Sequence, residues 1–233
     1  MSWLDRPLVG FDTETTGVNI HADRIVSAAI IYDDGSGTYE EHTWLINPGI
    51  PIPQAAANVH GITTAIAQRD GRPPALALAE IAARLRDANR AGYPIVAFNA
   101  AFDLSLIQAE LARHDLPALP TDFAPVIDPL VIDRGVEPYR RGKRRLADVA
   151  THYGVKIGDD LHRADVDVIA TLQVLRAIAA RHAQVGELTL AQLHAWQTES
   201  HREWARSFNE WRKSKHLSGP GASEHWPLEP PRG

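Results

Sequence analysis

Two carboxylates stand two residues apart in Leu8-Val9-Gly10-Phe11-Asp12-Thr13-Glu14-Thr15-Thr16-Gly17. An apolar run enters the pair and a Thr-Thr-Gly turn leaves it, so Asp12 and Glu14 read as the end of a β-strand, where residues i and i+2 share a face. Two carboxylates held side by side repel, and both stay charged only beside something positive. Oxygen donors of this kind select a hard divalent cation, Mg²⁺ or Mn²⁺. Further ligand types stand at the ends of later elements. Asp103 opens a helix directly after an apolar strand, in Ala97-Phe98-Asn99-Ala100-Ala101-Phe102-Asp103. His162 and Asp167, five apart in His162-Arg163-Ala164-Asp165-Val166-Asp167, open another. Each alone has an ordinary explanation: a helix-start Asp is a cap or a dipole partner, and a lone His a surface or core residue. The joint pattern is much rarer by chance. Asp165 competes with Asp167, but two aspartates two apart on a helix do not share a face. Asp165, in the first turn, reads as the solvated dipole partner.

The elements that must carry these residues follow from periodicity and turn signals. Residues 8–12 read as a first strand, 24–32 as a second ended by Asp33-Asp34-Gly35-Ser36-Gly37, and 38–46 as a third stopped by Asn47-Pro48-Gly49, an antiparallel meander. Thr63 is placed to cap a short helix. Pro73-Pro74 opens a helix whose Leu78, Ile81, Ala82 and Leu85 form one apolar face. A fourth strand over 94–99, a helix over 103–111 and a short fifth strand over 124–128 come next, the last placed at an edge by its prolines. Helices over 146–153, ending at Gly154, and over 164–183 complete an α/β domain with a mixed sheet covered by helices.

The domain is set at residues 1–185, followed by a C-terminal helical extension over 186–217 and a Pro- and Gly-rich tail over 218–233 that reads as loose. In the extension a helix from Thr189 to Lys215 carries a stripe of Leu193, Trp196, Ser200, Trp204, Phe208 and Trp211. That stripe is expected to pack on the domain or on a second copy, with docking on a polymerase or sliding clamp as the rarer use.

At 233 residues, with 44% hydrophobic and 23% charged residues, the chain suits one full-sized domain plus an appendage. No apolar run is long enough to cross a membrane, and the N-terminus lacks the pattern of a signal peptide. Cysteine is absent, which removes disulfides, thiolate zinc sites and cysteine nucleophiles, and fits a cytoplasmic protein. The net charge of −5 does not advertise a nucleic-acid binder, although a carboxylate-rich site would account for several of those charges. The one basic run is Tyr139-Arg140-Arg141-Gly142-Lys143-Arg144-Arg145, where Lys143 and Arg144 are candidates for contact with phosphate.

The three acidic stretches together resemble the DEDD superfamily of 3′→5′ exonucleases, in the DnaQ-like branch with a catalytic histidine (DEDDh), which includes the bacterial polymerase's proofreading subunit and ribonuclease T. Phe11 to Gly17 matches the first motif, Asn99 to Asp103 the second and His162 to Asp167 the third; His60-Gly61-Ile62-Thr63 matches a further family segment. The resemblance runs from about Pro7 to Arg181, and departs from the pattern at Phe98, where a His is usual. It implies a ribonuclease H-like five-stranded mixed sheet and two Mg²⁺ (or Mn²⁺) ions. In that scheme Asp12 bridges the ions, Glu14 and Asp167 hold the one that binds the attacking water, and Asp103 positions the other. His162 acts as general base. The implied product is a nucleoside 5′-monophosphate from the 3′ end of DNA or RNA, with Thr13, Thr15, His60, Asn99 and Phe102 lining the terminal-nucleotide pocket. Two rivals stand against this reading. An aspartyl-phosphate phosphatase would need Asp at position 14 and leaves His162 and Asp167 without a task; a non-catalytic binding or scaffold module would share the fold without using the site.

Overall fold

The structure, a computed structural model, describes residues 3–120, 122–158 and 162–230. Strands β1 (Leu8–Thr15), β2 (Ile25–Asp33) and β3 (Tyr39–Leu45) form the antiparallel meander. Two short helices follow, α1 (Gln54–His60) and α2 (Thr64–Asp70), the second capped by Thr63, whose hydroxyl accepts from the Ile66 N–H. Next come α3 (Pro74–Arg90), β4 (Ile95–Val96), α4 (Ala100–Arg113), β5 (Val126–Ile127) and α5 (Pro129–Val136). The described chain continues through α6 (Leu146–His152), α7 (Ala164–Arg181), α8 (Ala183–Glu187) and α9 (Leu190–Ser214). The sheet order is β3-β2-β1-β4-β5, with β4 parallel to β1 and β5 parallel to β4. This is the ribonuclease H-like mixed five-stranded sheet flanked by helices that the family resemblance implied.

The two faces of β1 explain the layering. Val9 and Phe11 point into a core built with α3 and α4, where Leu78, Ile81, Ala82 and Leu85 are fully buried. Leu8 points to the opposite core, built on α7 through Val168, Leu172 and Leu175. Gly10 lies on that α7 face. A Cβ there would come within 2.2 Å of Val168 Cγ1, so the missing side chain is what lets α7 lie against the central strand. Fully burying each of the Val, Leu, Ile and Phe side chains among these stabilises the fold by about 1.5–3 kcal/mol.

Several boundaries differ from the sequence reading, each for a local reason. β1 runs on to Thr15 because Glu14 pairs with Ser27 and Thr15 with Ile25 across an irregularity in register. β4 keeps only two residues because the chain turns at Asn99, which takes a left-handed φ of 65° and starts α4 at Ala100, three residues before Asp103. α5 went unread, although Asp128-Pro129 is a cap followed by a first-turn proline.

The C-terminal residues correct two further readings. Residues 218–230 are not loose: Trp226 is 6% exposed, and the Glu229 N–H donates to Ser105 Oγ at 2.9 Å. The buried line of α9 is Leu193, Gln197, His201 and Ala205, so Leu193 is the one member of the expected stripe that lies on it. Gln197 closes the outer edge of β5, accepting from the Asp128 N–H at 2.7 Å and donating to the Val126 carbonyl at 3.1 Å. An exposed strand edge is a pairing hazard, and here a helix side chain satisfies it. The stripe itself splits: Trp196 lies against Gly135, Trp204 covers Arg134, and Trp211 remains half exposed. No described helix is long and apolar enough to cross a membrane.

Candidate active site

Asp12 and Glu14 leave β1 on the same face as Gly10, the face that α7 covers. Asp167 stands in the first turn of α7, one residue before the Val168 that presses on Gly10. The close approach at Gly10 thus delivers Asp167 to the strand pair. One carboxylate oxygen from each of Asp12, Glu14 and Asp167 falls within 4.8 Å of the other two. Asp165 turns aside and pairs with Arg163 at 2.9 Å, so the geometry separates the two aspartates that spacing alone left in competition.

Asp103 reaches the site from the other face of the sheet. It is 4% exposed, and its Oδ1 accepts from the Thr13 N–H at 3.1 Å and the Thr13 hydroxyl at 2.6 Å. The turn that presents it is held by Asp128, whose carboxylate accepts from the Asn99 N–H at 3.0 Å and the Ala100 N–H at 2.9 Å. Asn99 and His162 both have positive φ, 65° and 77°. A histidine in the left-handed region carries strain, and such strain gathers where surrounding structure fixes a functional side chain. His162 is exposed, and its N–H donates to Asp167 Oδ1 at 3.3 Å.

The electrostatics of this cluster suit a cation. Burial, then Asp103, Asp167 and Glu14 in turn, push Asp12 well above the ordinary carboxylate range. Burial, Asp167 and Asp103 raise Glu14 to about 8. Burial raises Asp103 to about 7, against the opposing hydrogen bonds from Thr13, and burial raises Asp167 as well. An all-carboxylate donor set whose members cannot share their charge fits a hard divalent ion, which would relieve the repulsion directly.

Two clefts flank the cluster. One, about 610 Å³, is lined by Glu14, Trp44, His60, Ile62 and His162. The other, about 410 Å³, is lined by Asp12, Thr13, Asn99, Phe102, Asp103 and Arg134. His60 is buried, and its Nδ1 accepts from the Ile62 N–H at 3.1 Å. The neutral ring therefore carries its proton on Nε2, on the side of the Thr15 carbonyl. Burial lowers the pKa of this imidazole, which keeps it neutral. Thr15 uses its hydroxyl on the Gly17 carbonyl at 2.6 Å.

The basic run divides in an unexpected way. Arg144 lines the second cleft, but its guanidinium is tied to the buried Asp133 and to the Glu137 carbonyl. Lys143 is exposed and lines neither cleft. Asp128, Arg134 and Gln197 were not singled out in the sequence. The Asp128-Pro129 pair was the available signal for the first, whereas the other two are defined only by tertiary neighbours.

Comparison with known proteins places the chain in a family. A family model described as Exonuclease (RNase_T) matches residues 9–175. A DNA polymerase III subunit epsilon-like protein of Rhodobacter capsulatus is 34% identical over 74% of this chain and 24% of its own length. A PolC-type DNA polymerase III of Streptococcus pneumoniae is 32% identical over 83% of this chain and 13% of its own. The chain thus spans less than a quarter of these relatives. Among solved structures, E. coli exonuclease I in complex with a dT13 oligonucleotide superimposes with a TM-score of 0.62 at 20% identity, covering 77% of this chain and 42% of that one. The fold, the positions of the three motifs and a family match over most of the sequence lead to one assignment: the chain belongs to the DnaQ-like DEDDh exonuclease family.

Proposed function

We propose that the protein is a metal-dependent 3′→5′ exonuclease that removes nucleoside 5′-monophosphates one at a time from a free 3′ end. The observation that carries this reading is the trio of Asp12, Glu14 and Asp167, with oxygens within 4.8 Å of one another inside the segment matched to an exonuclease family. A phosphodiester resists hydrolysis because water is a weak nucleophile and negative charge builds on the phosphoryl oxygens. Two bound Mg²⁺ or Mn²⁺ ions would supply a more acidic water and neutralise that charge. Asp12, Glu14 and Asp167 are the residues that would hold them. Asp103 holds Thr13 and with it the end of β1 that faces the substrate.

His162, exposed at the rim of the first cleft, takes the proton from the attacking water, a task suited to an imidazole near neutral pH. His60 Nε2–H donates to an oxygen of the terminal nucleotide. Asn99 and Phe102 line the opposite cleft, where the Phe102 ring stacks on a base, a contact worth about 1–3 kcal/mol. Thr13 and Thr15 shape the strand end between the clefts, and Lys143 meets the strand's phosphates from its exposed loop. The names of the polymerase III relatives favour DNA as substrate and a proofreading or repair role.

The test is a 3′-labelled oligonucleotide, in matched DNA and RNA forms, incubated with Mg²⁺ or Mn²⁺ and with EDTA. The expected result is EDTA-sensitive release of labelled nucleoside 5′-monophosphate. Binding without cleavage, or release from the 5′ end, overturns the proposal.

A further inference from the structure

Four arginines crowd the side of the molecule around α5, and three of them are committed. Arg140 and Arg144 both clamp the fully buried Asp133, and Arg145 pairs with Asp148 at 3.0 Å. Arg134, in the last turn of α5, differs. Among the described residues it donates no hydrogen bond, and its guanidinium lies 3.7 Å over the Trp204 ring of α9. Burial pushes its pKa down to about 10, which leaves it cationic at neutral pH. A half-buried guanidinium with one face on an aromatic ring keeps its N–H edge for an acceptor, and the acceptor it matches best is a phosphate or carboxylate.

What Arg134 faces decides between acceptors. It lines the same cleft as Asp12, Asp103 and Phe102, the cleft that the exonuclease reading gives to a nucleic-acid strand, so phosphate is the acceptor at hand. It does not line the cleft of Glu14, His60 and His162, so it stands to one side of the carboxylate trio rather than across it. From the Asn99–Phe102 shelf a larger groove, about 790 Å³, continues past Trp204, His201 and His225 of the C-terminal segment. The path away from the carboxylates therefore passes Arg134 and is walled by the extension.

We propose that Arg134, braced by Trp204, binds the internucleotide phosphate next to the scissile one on the retained strand, which makes α9 part of the substrate site. This rests on the exonuclease reading and deepens it. Arg134 touches substrate; Trp204 is a positioning residue.

The experiment pairs binding with turnover. In EDTA, anisotropy of a labelled oligothymidylate is measured against salt for wild type, Arg134→Met and Arg134→Lys. The slope of log K against log salt becomes shallower by about 0.7 in Arg134→Met, the share of one phosphate contact on a single strand, and is retained in Arg134→Lys. With Mn²⁺, kcat/KM on the oligonucleotide falls about 10- to 100-fold in Arg134→Met. That loss is at least ten times larger than the loss on the 4-nitrophenyl ester of thymidine 5′-monophosphate, which has only the scissile diester. Trp204→Leu follows Arg134→Met, and Trp204→Phe restores most of the activity. An unchanged salt slope, or equal losses on the two substrates, overturns the proposal. If wild type hydrolyses neither substrate while the slopes still differ, the exonuclease reading falls and the phosphate contact stands.

Discussion

Asp12, Glu14 and Asp167 were legible because their spacing on a strand and at a helix start is itself geometric information. Their mutual repulsion is a folded-state property with a consequence for pH. The Glu14 carboxyl titrates at about 8 in the folded chain against 4.5 as its ordinary value. Between those values the folded state holds a proton that the unfolded chain releases, so stability is present below 4.5 and is lost as pH rises through 8. In EDTA the melting temperature therefore falls from pH 5 towards pH 8.5, and Glu14→Gln flattens that fall. Because cations bind the ionised carboxylates, Mn²⁺ raises the melting temperature more at pH 8 than at pH 5.5. A Mn²⁺ effect independent of pH contradicts the site. His162 belongs to the same scale but to another step. Its exposed ring holds no part of the fold, so His162→Ala lowers kcat by about 100-fold or more while Mn²⁺ affinity stays within a few-fold, read by turnover and by calorimetry. The partners of Arg144 were not legible, because the buried Asp133 that claims it is eleven residues away and its burial is set by packing.

Among the elements, β1 and α7 form the pair on which the site depends. The meander, the apolar face of α3 and the edge position of β5 followed from period and punctuation in the sequence. The two-residue strands β4 and β5 did not, since their ends are fixed by the Asn99 turn and the Asp128 cap rather than by any apolar pattern. Gly10 links element packing to chemistry. Gly10→Ala puts a methyl 2.2 Å from Val168 Cγ1, which forces α7 outward and Asp167 with it. Urea denaturation should show a loss of about 1–3 kcal/mol. Activity per folded molecule should fall as well, because the ligand moves with the helix. A variant that is destabilised but fully active would show that the approach at Gly10 does not place Asp167.

For the whole molecule, the C-terminal residues are part of the domain's packing. Composition suggested a separable helix and a loose tail because Pro, Gly and charge dominate there. What composition cannot convey is that Leu193 and Trp226 fill the core, or that Gln197 caps the β5 edge. A chain ending at Leu188 gives up those two burials, about 3 kcal/mol or more. Its melting temperature should drop by about 6–12 °C for a protein of this size, and an unchanged value would mark α9 as an appendage. The net charge of −5 likewise hid the arginines gathered around α5, since a sum over the chain says nothing of where cations stand.

The account depends most on the three carboxylates acting together as a seat for divalent cations. Titration calorimetry of Mn²⁺ into the full chain, in the presence of a nucleoside 5′-monophosphate, tests that directly with wild type and Asp12→Asn. Saturable binding by wild type that is lost in Asp12→Asn, with the circular dichroism of the two proteins superimposable, is the predicted result. Equal Mn²⁺ binding by both proteins would contradict it.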